Sequence, residues 1–248
     1  MIDLNKKFLI YGYGISGKSI EKYLKNKKCN YEIFDDFQNL KNLKYINKEL
    51  LLKNLNNYDY FIVSPSIKIH SNHFLHKYRN KIIIDLDFLS IELKDQRVIG
   101  VTGTEGKSST CYLIKEILQK KYHVKIIGNF GNTILDSKEL KKSLSNIDFL
   151  IIELSSYQLD KIKYLKLHYA LITNIYSDHL EYHNNIKNYV KSKFRIQTLL
   201  YVNSFLYVSK DLYLKFKNFI SIHKKNIVIS RINTLKSRDL INQIKYIN

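Results

Sequence analysis

The sequence predicts an α/β protein built on parallel sheets, and three observations carry that expectation. Short apolar runs alternate with segments of helical spacing, the pattern of strands joined through crossover helices. All eight glycines fall in three short clusters: Gly12, Gly14, Gly17; Gly100, Gly103, Gly106; Gly128, Gly131. Each cluster follows an apolar run, where a glycine lets the backbone turn sharply or approach a ligand closely.

The elements follow in order. Phe8–Tyr11 is a strand ending at Gly12, and Lys18–Lys27 is a helix with Ile20 and Leu24 on one face. Tyr31–Phe34 is a second strand closed by Asp35, and Phe61–Val63 and Ile82–Ile84 are further apolar runs. The polar stretch Glu92–Gln96 predicts a boundary, giving domains over 1–93 and 94–248. Val98–Val101 then restarts the pattern. A helix over Ser109–Lys121 carries Cys111, Ile114 and Leu118 on one face. Lys125–Ile127, Phe149–Ile152 and Tyr169–Thr173 read as strands, Ile186–Tyr201 as a helix, and Phe205–Val208 and Ile227–Ile229 as the last strands.

Bulk properties narrow the function. A hydrophobic fraction of 45% over 248 residues supports a substantial core. Two cysteines, Cys29 and Cys111, make no disulfide framework and suit a reducing cytoplasm. No run approaches the ~20 apolar residues of a membrane helix, so no membrane partner is expected. The net charge of +19 would suit nucleic acid, but the lysines are scattered among Asn, Leu and Ile. They form no single basic arm, and no nucleic-acid partner is expected. A positive field would still favour an anionic nucleotide.

Two loops carry the chemistry. Gly12-Tyr-Gly14-Ile-Ser-Gly17 is a G-x-G-x-x-G between strand and helix, with Asp35 at the end of the next strand. Backbone amides at a helix start suit a phosphate, and the carboxylate suits a ribose or a ring N–H. This fits NAD, FAD or a UDP-sugar equally. Gly103-Thr-Glu-Gly106-Lys107-Ser108 is a phosphate-binding loop, in which Lys107 reaches phosphates and the Ser108 hydroxyl suits magnesium. Downstream, Glu153 ends an apolar strand beside that loop, and Asp178-His179 lies in a second strand-end loop. Lys193 falls on a helical stripe with Ile186, Tyr189, Val190, Ile196 and Leu200. A lysine held inside would be neutral and open to carbon dioxide.

The shortened loop Thr102-Gly-Thr-Glu-Gly-Lys-Ser108 resembles those of the Mur ligases and the folylpolyglutamate synthetases. Glu153-Leu-Ser155-Ser-Tyr-Gln-Leu159 narrows the likeness to the D-glutamate-adding branch of the Mur ligase family. Thr173-Asn174 with Asp178-His179-Leu180, Tyr189-Val-Lys-Ser-Lys193-Phe-Arg195-Ile196 and Gly128-Asn129-Phe-Gly131 match further family motifs in order. The resemblance implies a Rossmann-like N-terminal domain followed by a P-loop-type α/β central domain. It implies ATP at Gly103, Thr104, Glu105, Gly106, Lys107, Ser108 and Ser109. It places UDP-N-acetylmuramoyl-L-alanine at Gly14, Ile15, Ser16, Asp35, Ser64, Ser66, Asn129 and Ser155, with D-glutamate as second substrate. It implies two magnesium sites through Ser108, Glu153, His179 and a carbamylated Lys193, with Lys107, His179 and Lys193 as catalytic groups. Two departures stand out: Glu105 where asparagine is usual, and Ser66 where the family has glycine.

The resemblance also leads one to expect that the chain lacks the end of the central domain and a third, C-terminal domain, which a separate chain would carry. Three rival readings are a NAD-dependent oxidoreductase built on the first loop, a non-catalytic UDP-sugar or ATP-binding fragment, and a basic nucleic-acid-binding protein. The first leaves Gly103–Ser108, Glu153 and His179 unexplained.

Overall fold

The computed structural model describes residues 2–38, 44–128, 144–222 and 226–230. They form two compact units. The first takes in the chain up to Leu93 together with Lys161–Leu165, and the second begins at Lys94. Among the described residues, no helix is long and apolar enough to cross a membrane.

In the first unit β1 (Lys7–Tyr11), β2 (Asn30–Phe34), β3 (Tyr60–Val63) and β4 (Ile82–Ile83) form a parallel sheet of order β2-β1-β3-β4. Central β1 is buried from Phe8 to Tyr11, which is why it reads as an unbroken apolar run and not as alternation. Helix α1 (Ile15–Asn26) buries Ile20, Tyr23 and Leu24. It starts earlier than its apolar spacing suggests, because Gly14 serves as its N-cap. Gly17 is required by packing: a Cβ there would lie 2.2 Å from the Gly12 carbonyl oxygen. Helix α2 (Lys48–Asn54) went unpredicted, although Asn47 caps it by accepting from the Leu50 N–H at 2.9 Å.

After β4 a short 3-10 turn, Asp85–Phe88, leads into α3 (Leu89–Glu92). Asp87 is fully buried. Its carboxylate accepts the Ile84 N–H at 3.0 Å, and the amides of Lys163, Tyr164 and Leu165 at 2.8, 2.6 and 3.4 Å. A buried carboxylate survives only with such donors, and this one fixes the segment Lys161–Leu165 within the unit.

The second unit holds a six-stranded parallel sheet of order β10-β9-β8-β5-β7-β6. Its strands are β5 (Arg97–Thr102), β6 (Val124–Ile127), β7 (Phe149–Glu153), β8 (Leu167–Ile172), β9 (Leu200–Ser209) and β10 (Ile227–Ser230). Helix α4 (Lys107–Leu118) lays Cys111, Ile114 and Leu118 against Val101, Phe149 and Ile151, as its spacing predicts. Three short helices follow β7 and β8: α5 (Ser156–Lys161), α6 (Leu180–His183) and α7 (Ile186–Phe194).

The helix expected over Ile186–Tyr201 is shorter. It ends at Phe194 and passes through a 3-10 turn, Arg195–Leu199, into β9. Pairing of Leu200 with Leu167 on β8 draws the chain into the sheet before the apolar run begins. Ile186 is 43% exposed and lies off the buried stripe. Asn129, Gly131 and the chain after Ser230 lie outside the described residues.

Candidate active site

In each unit the strand order reverses beside a central strand, and the loops at the carboxyl ends of the strands gather there. Ligands of parallel α/β sheets bind at that point. In the first unit the loops after β1 and β3 enclose a small cleft lined by Gly12, Ser16, Gly17, Ser64, Pro65 and Asp85. Gly14 and Ile15 are exposed at its helix start, where first-turn amides have no acceptor within the helix. Ser66 is exposed, with its hydroxyl 3.4 Å from that of Ser64.

Asp35 is 8% exposed and takes three backbone amides. One oxygen accepts from Tyr13 at 2.7 Å, and the other from Phe37 and Gln38 at 2.9 and 3.0 Å. It thus ties the glycine loop to the turn after β2. Asp85, which the sequence did not single out, accepts a hydrogen bond from the Ser16 hydroxyl and one from the Leu86 N–H.

In the second unit the loop Gly103–Gly106 runs from β5 to α4. A Cβ on Gly103 would lie 1.8 Å from Thr173 Oγ1, so only glycine passes beneath the end of β8. Asn174 clamps the loop: its carbonyl accepts the Thr104 N–H at 3.0 Å, and its Oδ1 accepts the Glu105 N–H at 2.9 Å. The Glu105 carbonyl accepts from Thr173 Oγ1 at 2.8 Å and from Asn174 Nδ2 at 3.1 Å. The Glu105 backbone is therefore fixed while the residue itself is exposed. Lys107 donates to the Thr104 carbonyl at 2.8 Å, the pose of a cation folded over its own loop.

Ser108 donates to Glu153 Oε2 at 2.8 Å. That pair of oxygen donors, one in the first turn of α4 and one at the end of β7, is the chemistry of a hard divalent cation. Ser109 is exposed on the next position of α4. Ser155 meets the Gln158 side chain through its N–H at 2.8 Å and its hydroxyl at 3.0 Å. Among the described residues, no group of three or more His, Cys, Asp or Glu side chains converges to hold a metal. His179 has a left-handed φ of 52°, and its ring lies near Asp178, Glu181 and Tyr157.

Lys193 is 2% exposed. Its amine donates to the Gly103 carbonyl at 2.7 Å and lies 4.7 Å from the Tyr189 ring centre. Burial, helped by the nearby Lys107 charge and opposed by Asp178, lowers its pKa to about 7. The amine is thus substantially neutral near pH 7 and nucleophilic. Tyr189, four residues earlier on the same face of α7, holds Thr104 Oγ1 at 3.0 Å. Asn174 was visible in the sequence only as a member of a motif, and Tyr189 as a member of a motif and of the apolar stripe. Their work on the loop depends on β5 and β8 being neighbours.

The Mur ligase middle domain family model matches residues 101–244. The UDP-N-acetylmuramoylalanine–D-glutamate ligase of Thermosipho melanesiensis is 32% identical over 240 residues, covering 89% of this chain and 54% of the relative. The enzyme of that name from Protochlamydia amoebophila is 32% identical over 235 residues, covering 87% and 51%. Among solved structures, the UDP-N-acetylmuramate:L-alanyl-gamma-D-glutamyl-meso-diaminopimelate ligase of Neisseria meningitides aligns with a TM-score of 0.49 and 13% identity. That alignment covers 85% of this chain and 75% of that one. The chain spans about half the length of the curated relatives it matches.

Proposed function

The chain belongs to the Mur ligase family, and on that premise we propose that it provides the nucleotide sites of a cytoplasmic ligase of peptidoglycan precursor synthesis. The reaction joins D-glutamate to UDP-N-acetylmuramoyl-L-alanine at the expense of ATP. ATP phosphorylates the L-alanyl carboxylate, the D-glutamate amine attacks the acyl phosphate, and phosphate leaves as the amide forms. The observation that carries this reading is the sealing of the Lys193 amine against the first carbonyl of the phosphate loop. A NAD-binding fold has no use for it.

Gly103–Ser109 would hold the ATP phosphates, with Lys107 turning from the Thr104 carbonyl onto them. Preorganised positive charge of this kind is the main source of catalysis in phosphoryl transfer. Ser108 and Glu153 would hold one magnesium ion, and His179 with Lys193 a second. Bound there, magnesium would neutralise charge on the transferring phosphoryl group. As an ammonium Lys193 would repel a cation. As a neutral amine it can add carbon dioxide, losing one proton to form an anionic carbamate. UDP-N-acetylmuramoyl-L-alanine would lie at Gly14, Ile15, Ser16, Ser64 and Ser66, with Asp35 shaping the loop.

Calorimetry with ATP and magnesium tests the nucleotide site. Lys107→Ala should weaken binding by about 1.5–3 kcal/mol, tenfold or more, through loss of a charge-assisted contact. Unchanged affinity would count against the phosphate loop. Ligation itself is to be assayed with the chain alone and with a polypeptide matching the other half of the relatives' length. Labelled bicarbonate should give a carbamate carbon signal that Lys193→Ala removes.

A further inference from the structure

The first unit presents an unusual neighbour to an anionic ligand. Among the described residues, Asp85 is the one ionisable residue lining the cleft at Gly12, Ser16 and Ser64. The residues that β1, α1, β3 and the Ser64–Pro65 loop contribute to its lining are uncharged, and the cation on that loop is the buried Lys161 amine, which donates to the Pro65 carbonyl at 2.7 Å. Asp87, two residues on, spends its carboxylate on the amides of residue 84 and of residues 163–165. Asp85 is held by its own backbone N–H, the Leu86 N–H and the Ser16 hydroxyl, and among the described residues no cation is ion-paired with its carboxylate. Burial holds its carboxyl above the usual carboxylate range.

The Ser16 hydroxyl has a single proton to donate, and in this structure Asp85 receives it. Phosphate oxygens only accept. Ser16 cannot serve the carboxylate and a phosphate at once, and two anions sharing one small cleft repel. We propose that Asp85 is a proton-linked positioning residue of this cleft, and that a diphosphate enters against Ser16 as Asp85 takes up one proton from solvent. Ser16 then turns its hydroxyl to the phosphate, and the neutral Asp85 carboxyl becomes a donor in its own right. The inference rests on the UDP-sugar reading of the first unit.

The test is calorimetry of the full chain with UDP-N-acetylmuramoyl-L-alanine, whose diphosphate is a diester that does not titrate between pH 6.5 and 9. Titrations in buffers of different ionisation enthalpy give the number of protons exchanged. Net uptake approaching one proton is expected above neutral pH, with affinity falling up to about tenfold per unit as pH rises. Asp85→Asn should abolish the uptake and flatten the affinity profile. Ser16→Ala, which removes the donor from the carboxylate, should reduce the uptake at pH 7 without abolishing it at pH 9. Tight binding with no proton uptake by the unaltered chain would overturn the role of Asp85 and leave the UDP-sugar reading intact. Absence of any binding from pH 6.5 to 9 would overturn both.

Discussion

Lys193 makes the sharpest demand on its surroundings. A charged amine that is 2% exposed must be compensated, and its neighbours supply one carbonyl and an aromatic ring. Its pKa, lowered to about 7 by burial, sits well below the ordinary lysine value of 10.5. The unfolded chain therefore binds the proton more readily than the folded one. In the window between those two values stability rises with pH, by up to about 1.4 kcal/mol per unit, and it levels off below pH 7. Lys193→Met should flatten the dependence of urea midpoint on pH between 7 and 10. An unaltered slope would mean that the amine reaches water. The same burial explains why a lysine on an apolar stripe could be read from sequence as special. Nothing local revealed its partner, because the Gly103 carbonyl lies 90 positions away along the chain.

Among elements, the phosphate loop is shaped from below by the end of β8. Gly103→Ala places a methyl group 1.8 Å from Thr173 Oγ1 and should cost about 1–3 kcal/mol, with loss of ATP binding. Thr173→Ala in the same chain should recover part of that stability, since it removes the colliding oxygen. Strictly additive denaturation energies would argue that the contact is not the cause. Asp87→Ala leaves several amides without an acceptor. At roughly 1–3 kcal/mol for each buried donor left unpaired, a loss of at least about 3 kcal/mol is expected in chemical denaturation. Elements were legible in the sequence where period and punctuation agreed. Gly12 and Gly103 mark strand-to-helix turns, and Cys111, Ile114 and Leu118 mark a helix face. The start of β9 was illegible because Tyr201, Val202 and Asn203 are exposed and carry no alternation. Asp85 was illegible because a carboxylate after an apolar run looks like any strand end. It becomes part of a site only because β4 lies beside β3 and β3 beside β1.

At the scale of the whole molecule, two parallel sheets each place one glycine-rich loop at the point where strand order reverses. Sequence motifs alone leave the first of these open to a dinucleotide or a UDP-sugar, since a glycine loop and a terminal aspartate serve either. The three backbone amides on Asp35 hold the loop in place for either ligand and do not separate the readings. Membership of the Mur ligase family favours the UDP compound. The most direct measurement is a pair of calorimetric titrations of the chain, one with UDP-N-acetylmuramoyl-L-alanine and one with NAD. Saturable one-to-one binding of the UDP compound with no heat from NAD is expected, whereas binding of NAD without the UDP compound would contradict the account.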